Sequence, residues 1–217
     1  MSSEQKIPNI YIIGAQCTGK TTLVNRLSVE LYCSSAVLGI DKPQIISEVA
    51  RTVLKQHQFV TEDIRSFPER SLALQQLIVA AQVDAERDAL SRSSWFISDR
   101  SGIDPVVYAS KYVSGESAME MQRSTGWLEL KERMAESLVI VCEAGATWLK
   151  DDGVRLMPED QEDWLQFHRM FCTLLDESRL PYCVLPCNIH SLSERAQFVL
   201  SKWHELANIA PGLARIG

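Results

Sequence analysis

The stretch Gly14-Ala15-Gln16-Cys17-Thr18-Gly19-Lys20-Thr21 decides the fold of this 217-residue chain. It follows the pattern G-x-x-x-x-G-K-[ST], in which glycines let successive backbone N–H groups turn inward around a phosphate. The apolar run 9–13 before it predicts a strand, and the residues after it predict a helix from about Lys20 to Tyr32. A strand, a loop and a helix in this order predict a phosphate-binding loop at a helix N-terminus, where the positive potential favours anions.

Each polar residue of this loop has a predicted role. Lys20 reaches the β- and γ-phosphates, Thr21 offers its hydroxyl to Mg²⁺, and Thr22 contacts the α-phosphate. The expected ligands are Mg²⁺ and ATP, with GTP also possible, and the loop around Asn188 is the candidate for base contacts. The predicted nucleotide-binding residues are Gly14, Ala15, Gln16, Cys17, Thr18, Gly19, Lys20, Thr21, Thr22 and Asn188.

Short apolar runs alternate with longer amphipathic stretches along the chain, a pattern typical of βα units and a mostly parallel sheet. We predict a three-layer α/β/α P-loop NTPase fold with five strands. The whole chain, 1–217, is predicted to form one domain, with a small lid at about 144–162. The predicted strands are 9–13, 44–47, 95–98, 138–142 and 182–185.

Residue patterns typical of helix starts occur between the predicted strands. A helix is predicted from Val49, and Ser66-Phe67-Pro68-Glu69 reads as a capping box that opens a helix reaching about Arg92. Two helices are expected at about 104–113 and 117–136. Ser191-Leu192-Ser193-Glu194 is predicted to cap the last helix. Two apolar stripes are predicted as core: Trp164, Phe167, Phe171 and Leu174, and then Leu192, Ala196, Val199, Trp203 and Leu206.

Asp99 directly follows a predicted strand, where an acid near the metal of a triphosphate site is usually found. The alternative is that Asp99 is a helix N-cap. Arg100 beside it is a candidate for clamping a substrate.

Glu48 and Arg51 form a second pair at a strand end. They are one helical turn apart, so both can point toward the same cleft. Glu48 is a candidate base for an attacking hydroxyl or a ligand of a substrate ribose. The spacing fits an ordinary surface ion pair equally well.

Composition limits the classes of function. The formal net charge of −6 disfavours non-specific nucleic-acid binding, which needs clustered Lys and Arg. No run of residues is long and apolar enough to predict a transmembrane segment, and 1–7 shows no secretory signal. The six cysteines are scattered and are predicted to be reduced, buried thiols in a cytoplasmic protein. The spacing of Cys183 and Cys187 would suit a metal pair, but a structural role is preferred because no partner pair is found.

Four stretches occur in the order of one family. They are Gly14–Thr22, 47–51, 98–104 and Asp151-Asp152-Gly153-Val154-Arg155. Together they resemble the AAA-type ATPase/kinase family that contains the ribosylnicotinamide kinase domain of NadR, and the Asp-Asp-Gly-x-Arg element is the narrowest of them. The Asp99-Arg100-Ser101 step is also similar to that of deoxynucleoside and thymidylate kinases.

The resemblance implies a parallel sheet and a lid whose arginine, here Arg155, stabilises charge on the transferred phosphoryl group. Without it, Asp152-Gly153 reads as a plain turn. The resemblance also implies that the acceptor is faced by Glu48, Arg51, Asp99, Arg100 and Asp104, with Gln82 hydrogen-bonding its base or ring. A surface position for Gln82 is the safer expectation from the sequence itself.

Two classes of function compete. The leading hypothesis is a kinase that moves the γ-phosphoryl of Mg-ATP to a hydroxyl of a nucleoside-like acceptor resembling nicotinamide riboside. Lys20, Asp99 and Arg155 are its catalytic candidates, with Glu48 or Asp99 as base. The alternative is a nucleotide-dependent switch or trafficking adaptor with slow hydrolysis, since the resemblance extends to Trpl translocation-defect-protein-like members. A degenerate binder is disfavoured by the intact Lys20 and Thr21. The sequence indicates no oligomeric state.

Overall fold

A computed structural model describes residues 6–145 and 158–208. Its centre is a five-stranded sheet in the order β2-β3-β1-β4-β5, and each neighbouring pair is parallel. This confirms the predicted fold class. The strands are β1 (Ile10–Ile13), β2 (Gln44–Ile46), β3 (Phe96–Asp99), β4 (Leu138–Cys142) and β5 (Cys183–Leu185).

Helices cover both faces of the sheet. The helices are α1 (Lys20–Leu38), α2 (Val49–Gln56), α3 (Thr61–Ser66), α4 (Pro68–Arg92), α5 (Ile103–Tyr112), α6 (Gly115–Met121), α7 (Thr125–Ala135), α8 (Gln161–Glu177) and α9 (Leu192–Leu206). Strand β1 shows why there are three layers: Ile10 and Ile12 belong to a core cluster shared with α1 and α9, whereas Tyr11 and Ile13 belong to a cluster shared with α4, α5, α7 and α8.

The start of α4 differs from the prediction. A separate short helix, α3, ends at Ser66, whose hydroxyl donates to Glu62 within the same helix. Helix α4 begins at Pro68 and has no side-chain N-cap. The capping-box prediction is therefore wrong, because Pro68 at the first helical position supplies the helical φ and needs no cap for its missing N–H.

The predicted helix at 117–136 is two helices. Helix α6 ends at Met121, and the Ser124 hydroxyl accepts a hydrogen bond from the Trp127 N–H to cap the start of α7. A serine cap in the middle of the predicted helix thus starts a new helix here.

Burial agrees with most of the two apolar stripes. The four stripe residues of α8 are buried, as are Ala196, Val199 and Trp203 of α9. Leu192 and Leu206, at the ends of α9, are 37% and 49% exposed, so their core prediction is wrong. The buried-thiol prediction holds only for Cys17 and Cys142, because Cys33 is exposed on α1 and the other three cysteines are half-buried. Within residues 6–145 and 158–208, no helix is both long and apolar enough to cross a membrane.

Candidate nucleotide and acceptor site

The loop between β1 and α1 has the backbone that a phosphate cradle requires. Gly14 has a φ of +122°, and a Cβ added there would lie 2.7 Å from the Cys142 carbonyl oxygen. Gly19 has a φ of +80° and stands at the start of α1, and Cys17 adopts a φ of +59° without being glycine. Glycine at position 14 is therefore needed both for conformation and for the close approach of β4.

Lys20 is buried inside this loop at 5% exposure. Its Nζ donates to the Ala15 carbonyl at 2.6 Å and to the Thr18 hydroxyl at 3.4 Å. Burial, and then the nearby Arg100 charge, lower the pKa of Lys20 to about 8. An ammonium held by one carbonyl and one hydroxyl is poorly neutralised, so a polyphosphate would be a far stronger partner than the loop provides.

Thr21 and Asp99 meet at the start of α1. The Thr21 hydroxyl donates to Asp99 Oδ2 at 2.5 Å, and Asp99 is 2% exposed at the end of β3. Asp99 Oδ1 is buried without a hydrogen-bond partner among the described residues. Helix α5 starts later, at Ile103 after Gly102, so Asp99 is not its N-cap. The Thr21 hydroxyl and the Asp99 carboxylate, one oxygen of which is unsatisfied, form a donor set that suits Mg²⁺ with its retained waters.

Arg100 joins two acidic side chains next to this pair. Its guanidinium donates to Glu48 at 2.6 Å and to Asp104 at 2.9 Å, and its own backbone φ is +87°. Arg51 donates to the other oxygen of Glu48 at 2.7 Å. Glu48 and Arg51 are therefore part of a larger cluster, in which the Glu48 side chain is only 14% exposed, and not an isolated surface pair.

The cluster sets the charge state of its carboxyl groups. Burial alone would raise the pKa of Glu48, but Arg100 and Arg51 outweigh it and hold that pKa at about 2. For Asp104, the effect of burial is larger and raises the pKa, even though Arg100 and Lys20 act to lower it. The Ser101 backbone N–H also donates to Asp104, at 2.9 Å.

The cluster lies at one wall of a cavity of about 500 Å³ between α2, α3, α4 and α5. The other walls are mostly apolar and include Leu54, Phe59, Ile64, Ile78 and Tyr108. A volume of this size, with apolar walls and a few polar groups on one side, is typical of a site for a small organic molecule.

Three glutamines, Gln16, Gln75 and Gln82, also line the cavity. Gln82 lines it at 1% exposure, so the expectation of a surface position is wrong. Gln16, in the phosphate loop, lines the same cavity. Gln82 Oε1 and both polar side-chain atoms of Gln16 are buried without a partner in the part of the chain that the structure describes. The cavity and the phosphate loop therefore share a wall.

Two residues that support the loop were missed as site residues. The Trp164 indole N–H donates to the Gln16 carbonyl at 2.9 Å, and Arg195 donates to the Thr18 carbonyl at 2.9 Å. Trp164 was assigned only to the core. Arg195 had a signal, because it lies four residues before Val199 on the buried face of α9, where a charged residue needs a partner.

The remaining candidates are Arg155, Thr22 and Asn188. Arg155 and the Asp-Asp-Gly-x-Arg element, with most of the predicted lid, are outside the described residues. Thr22 is exposed on the first turn of α1, and Asn188 is exposed in the loop after β5. Among the described residues no group of three or more His, Cys, Asp or Glu is arranged to hold a metal, and Cys183 and Cys187 are free thiols.

Comparisons with known proteins agree with this fold. A family described as AAA domain matches residues 9–195. No curated protein matches the chain. A crystal structure of NadR in complex with NR is similar with a TM-score of 0.70 at 20% identity, over 94% of this chain and 53% of that one.

Two further solved structures are similar. NadR in complex with NAD and AMP-PNP has a TM-score of 0.67 at 17% identity, over 98% of this chain and 52% of that one. Deoxyadenosine kinase from M. mycoides, with dCMP and dCDP bound, has a TM-score of 0.60 at 13% identity, over 91% and 99% of the two chains. The chain thus spans about half the length of the NadR chains.

Proposed function

Because this chain belongs to the AAA domain family, we propose that its loop binds Mg-ATP and that the adjoining cavity binds the hydroxyl compound that receives the γ-phosphoryl group. The observation that carries this proposal is the contact between Thr21 and Asp99, which directly precedes Arg100 in the cavity wall. A metal-binding pair near a second cavity is the arrangement that phosphoryl transfer to a second substrate requires.

Each site residue has a role in this scheme. The loop amides and Lys20 hold the phosphates, and Thr21 and Asp99 hold Mg²⁺, which neutralises charge on the phosphate oxygens. In the reaction the acceptor oxygen bonds to the γ-phosphorus, the bond to the β-phosphate oxygen breaks, and ADP leaves. Positioning and electrostatics are most of what the protein contributes to such a loose transition state.

The two carboxyl groups suggested as base are not equivalent. A group with a pKa of about 2, held by two guanidinium groups, is a weak proton acceptor at neutral pH. We therefore assign Glu48, with Arg51, Arg100 and Asp104, to holding the acceptor hydroxyl groups. Asp99 remains the candidate that takes the acceptor proton, through Oδ1, which has no hydrogen-bond partner among the described residues, and not through Oδ2 beside Thr21. Arg155 is proposed to close over the phosphates.

The acceptor is proposed to be nucleoside-like, of the size of nicotinamide riboside. Support comes from the cavity volume and from its division into an apolar part, which suits a ring, and a charged part, which suits ribose hydroxyl groups. The fold-level likeness to nucleoside-binding kinases agrees with this choice but does not select the acceptor. A switch or adaptor would have no need of a cavity of this size beside the phosphate loop.

Acceptor-dependent release of ADP tests the proposal. We expect turnover with at least one member of a nucleoside panel, and Glu48→Gln should raise the acceptor KM by about tenfold while leaving the Kd for Mg-ATP unchanged. The matched control is Glu30→Gln, which removes an ion-paired carboxylate on α1 away from the cavity. Tight Mg-ATP binding with the same slow hydrolysis at every acceptor concentration would favour the switch instead.

A further inference from the structure

Glu86 is a carboxylate with no solvent exposure, located on α4 behind the cavity. Its Oε2 accepts hydrogen bonds from the Tyr11 hydroxyl, at 2.9 Å, and from the Arg133 guanidinium. Its Oε1 accepts from Gln82 Nε2 at 2.8 Å. Burial raises the pKa of Glu86, but all three neighbours donate to it and so favour the ionised form, which accepts at both oxygens.

This network fixes which way round the Gln82 amide is held. Gln82 Nε2 donates to Glu86 and also to the Ser98 hydroxyl at 3.2 Å. If the amide were turned over, its carbonyl oxygen would face a carboxylate oxygen, and two acceptors would be left in contact. The amide nitrogen is thus committed, and the unpartnered Oε1 is what Gln82 has left for a ligand in the cavity.

On the basis of the proposed function, we propose that Glu86 is a positioning residue that sets the hydrogen-bonding sense of Gln82, so that the site selects acceptors whose ring carries an exocyclic N–H donor. The donor would be an exocyclic amino group or a carboxamide. A buried acceptor atom left unpaired is costly, so a ring with a carbonyl oxygen at that position is rejected both by the lost bond and by repulsion.

The substitution Glu86→Gln tests this role with an unusual expected result. Arg133 and Tyr11 both donate toward the Oε2 position, so the new amide would place its oxygen there and its NH₂ group toward Gln82. Gln82 would then turn its oxygen toward residue 86 and present its own NH₂ to the cavity. The preferred ring should change from donor to acceptor.

The experiment measures kcat/KM with Mg-ATP for three matched pairs: cytidine and uridine, adenosine and inosine, and nicotinamide riboside and nicotinic acid riboside. In wild type, for any pair that is turned over, the first member, which carries an exocyclic NH₂ group, should be favoured by about tenfold or more over the second, which carries an oxygen in its place. In Glu86→Gln that ratio should fall below one. In Gln82→Met, which removes the amide and introduces no charge, the ratio should approach one. This variant gives a second test if Glu86→Gln does not fold.

Tyr11→Phe is the matched control. It removes a donor from the far oxygen of Glu86 and leaves the bond to Gln82, so its ratio should stay within about twofold of wild type. A role of Glu86 in stability alone would weaken both members of a pair alike in every variant. A wild-type ratio near one, or an unchanged ratio in Glu86→Gln and Gln82→Met, overturns the inference and leaves the proposed function standing. Absence of turnover with all six acceptors despite Mg-ATP binding rejects both.

Discussion

Binding of ATP should be coupled to proton uptake by Lys20. In the free protein the pKa of Lys20 is about 8, because burial and the Arg100 charge disfavour the ammonium. Bound phosphates favour the ammonium and return its pKa to well above 8. At pH 8 about half of the molecules must therefore gain a proton on binding, and at pH 7 about one in ten.

Calorimetry in two buffers of different ionisation enthalpy that carry no phosphate, such as HEPES and Tris, measures this uptake directly. We expect about 0.5 proton per ATP at pH 8 and a Kd that rises about twofold between pH 7 and pH 8. Lys20→Arg is the control. Its guanidinium stays protonated, so this variant should bind ATP without proton uptake. A wild-type binding heat at pH 8 that is the same in both buffers would refute the reasoning.

The same pKa shift acts on stability without nucleotide. In the unfolded chain the pKa of Lys20 is near 10.5. Between pH 8 and pH 10.5 the unfolded chain therefore binds more protons than the folded chain, and the free energy of unfolding increases as the pH rises. Below pH 8 the buried ammonium costs about 3 kcal/mol, which is the free energy that corresponds to the shift. Lys20→Met should therefore be more stable than wild type by about 1 to 3 kcal/mol at pH 7 in urea denaturation, with the difference smaller at pH 10.

Three further substitutions test other parts of the site. Asp99→Asn should lower kcat on the order of 100-fold and weaken the Mg²⁺ dependence of ATP binding, with little change in melting temperature; an unchanged Mg²⁺ titration would contradict the metal role. Gly14→Ala should cost about 3 kcal/mol of unfolding free energy, whereas Gly39→Ala, also at positive φ but in open space, should cost only about 1 kcal/mol; equal costs would exclude the clash as the cause. Arg195→Met should raise the Kd for ATP several-fold, because the loop loses a fixed carbonyl, and an unaltered Kd would show that this anchor is dispensable.

The fold could be predicted from the sequence because the signals for its strands, helices and phosphate loop are local. The phosphate-loop pattern, the buried run of β4 and the helix cap at Ser191 each occupy a few neighbouring residues, and the structure has all three. Errors arose where two signals overlapped. Ser66 and Glu69 have the spacing of a capping box, but Pro68 between them starts the helix unaided.

The candidate site was only partly predictable, because it is assembled from distant segments. Nothing near Gln82 in the sequence indicates that β1 and α7 supply the partners of Glu86, four residues further on. The bond from Trp164 to the phosphate loop spans 148 positions, and an aromatic residue on an apolar stripe reads only as core. Periodicity indicates which face is buried, but it does not indicate what a polar atom on that face will contact.

Because of the bond from Trp164, the intrinsic fluorescence of this tryptophan should respond to changes in the phosphate loop. Indole emission depends on the polarity and hydrogen bonding around its N–H, and this N–H is bonded to a carbonyl of the loop that surrounds the phosphates. Of the five tryptophans in the sequence, Trp95 and Trp203 are buried in a different core cluster, whereas Trp127 is buried in the same cluster as Trp164. A difference in fluorescence between wild type and Trp164→Phe during a nucleotide titration would thus follow loop movement in real time, without any label.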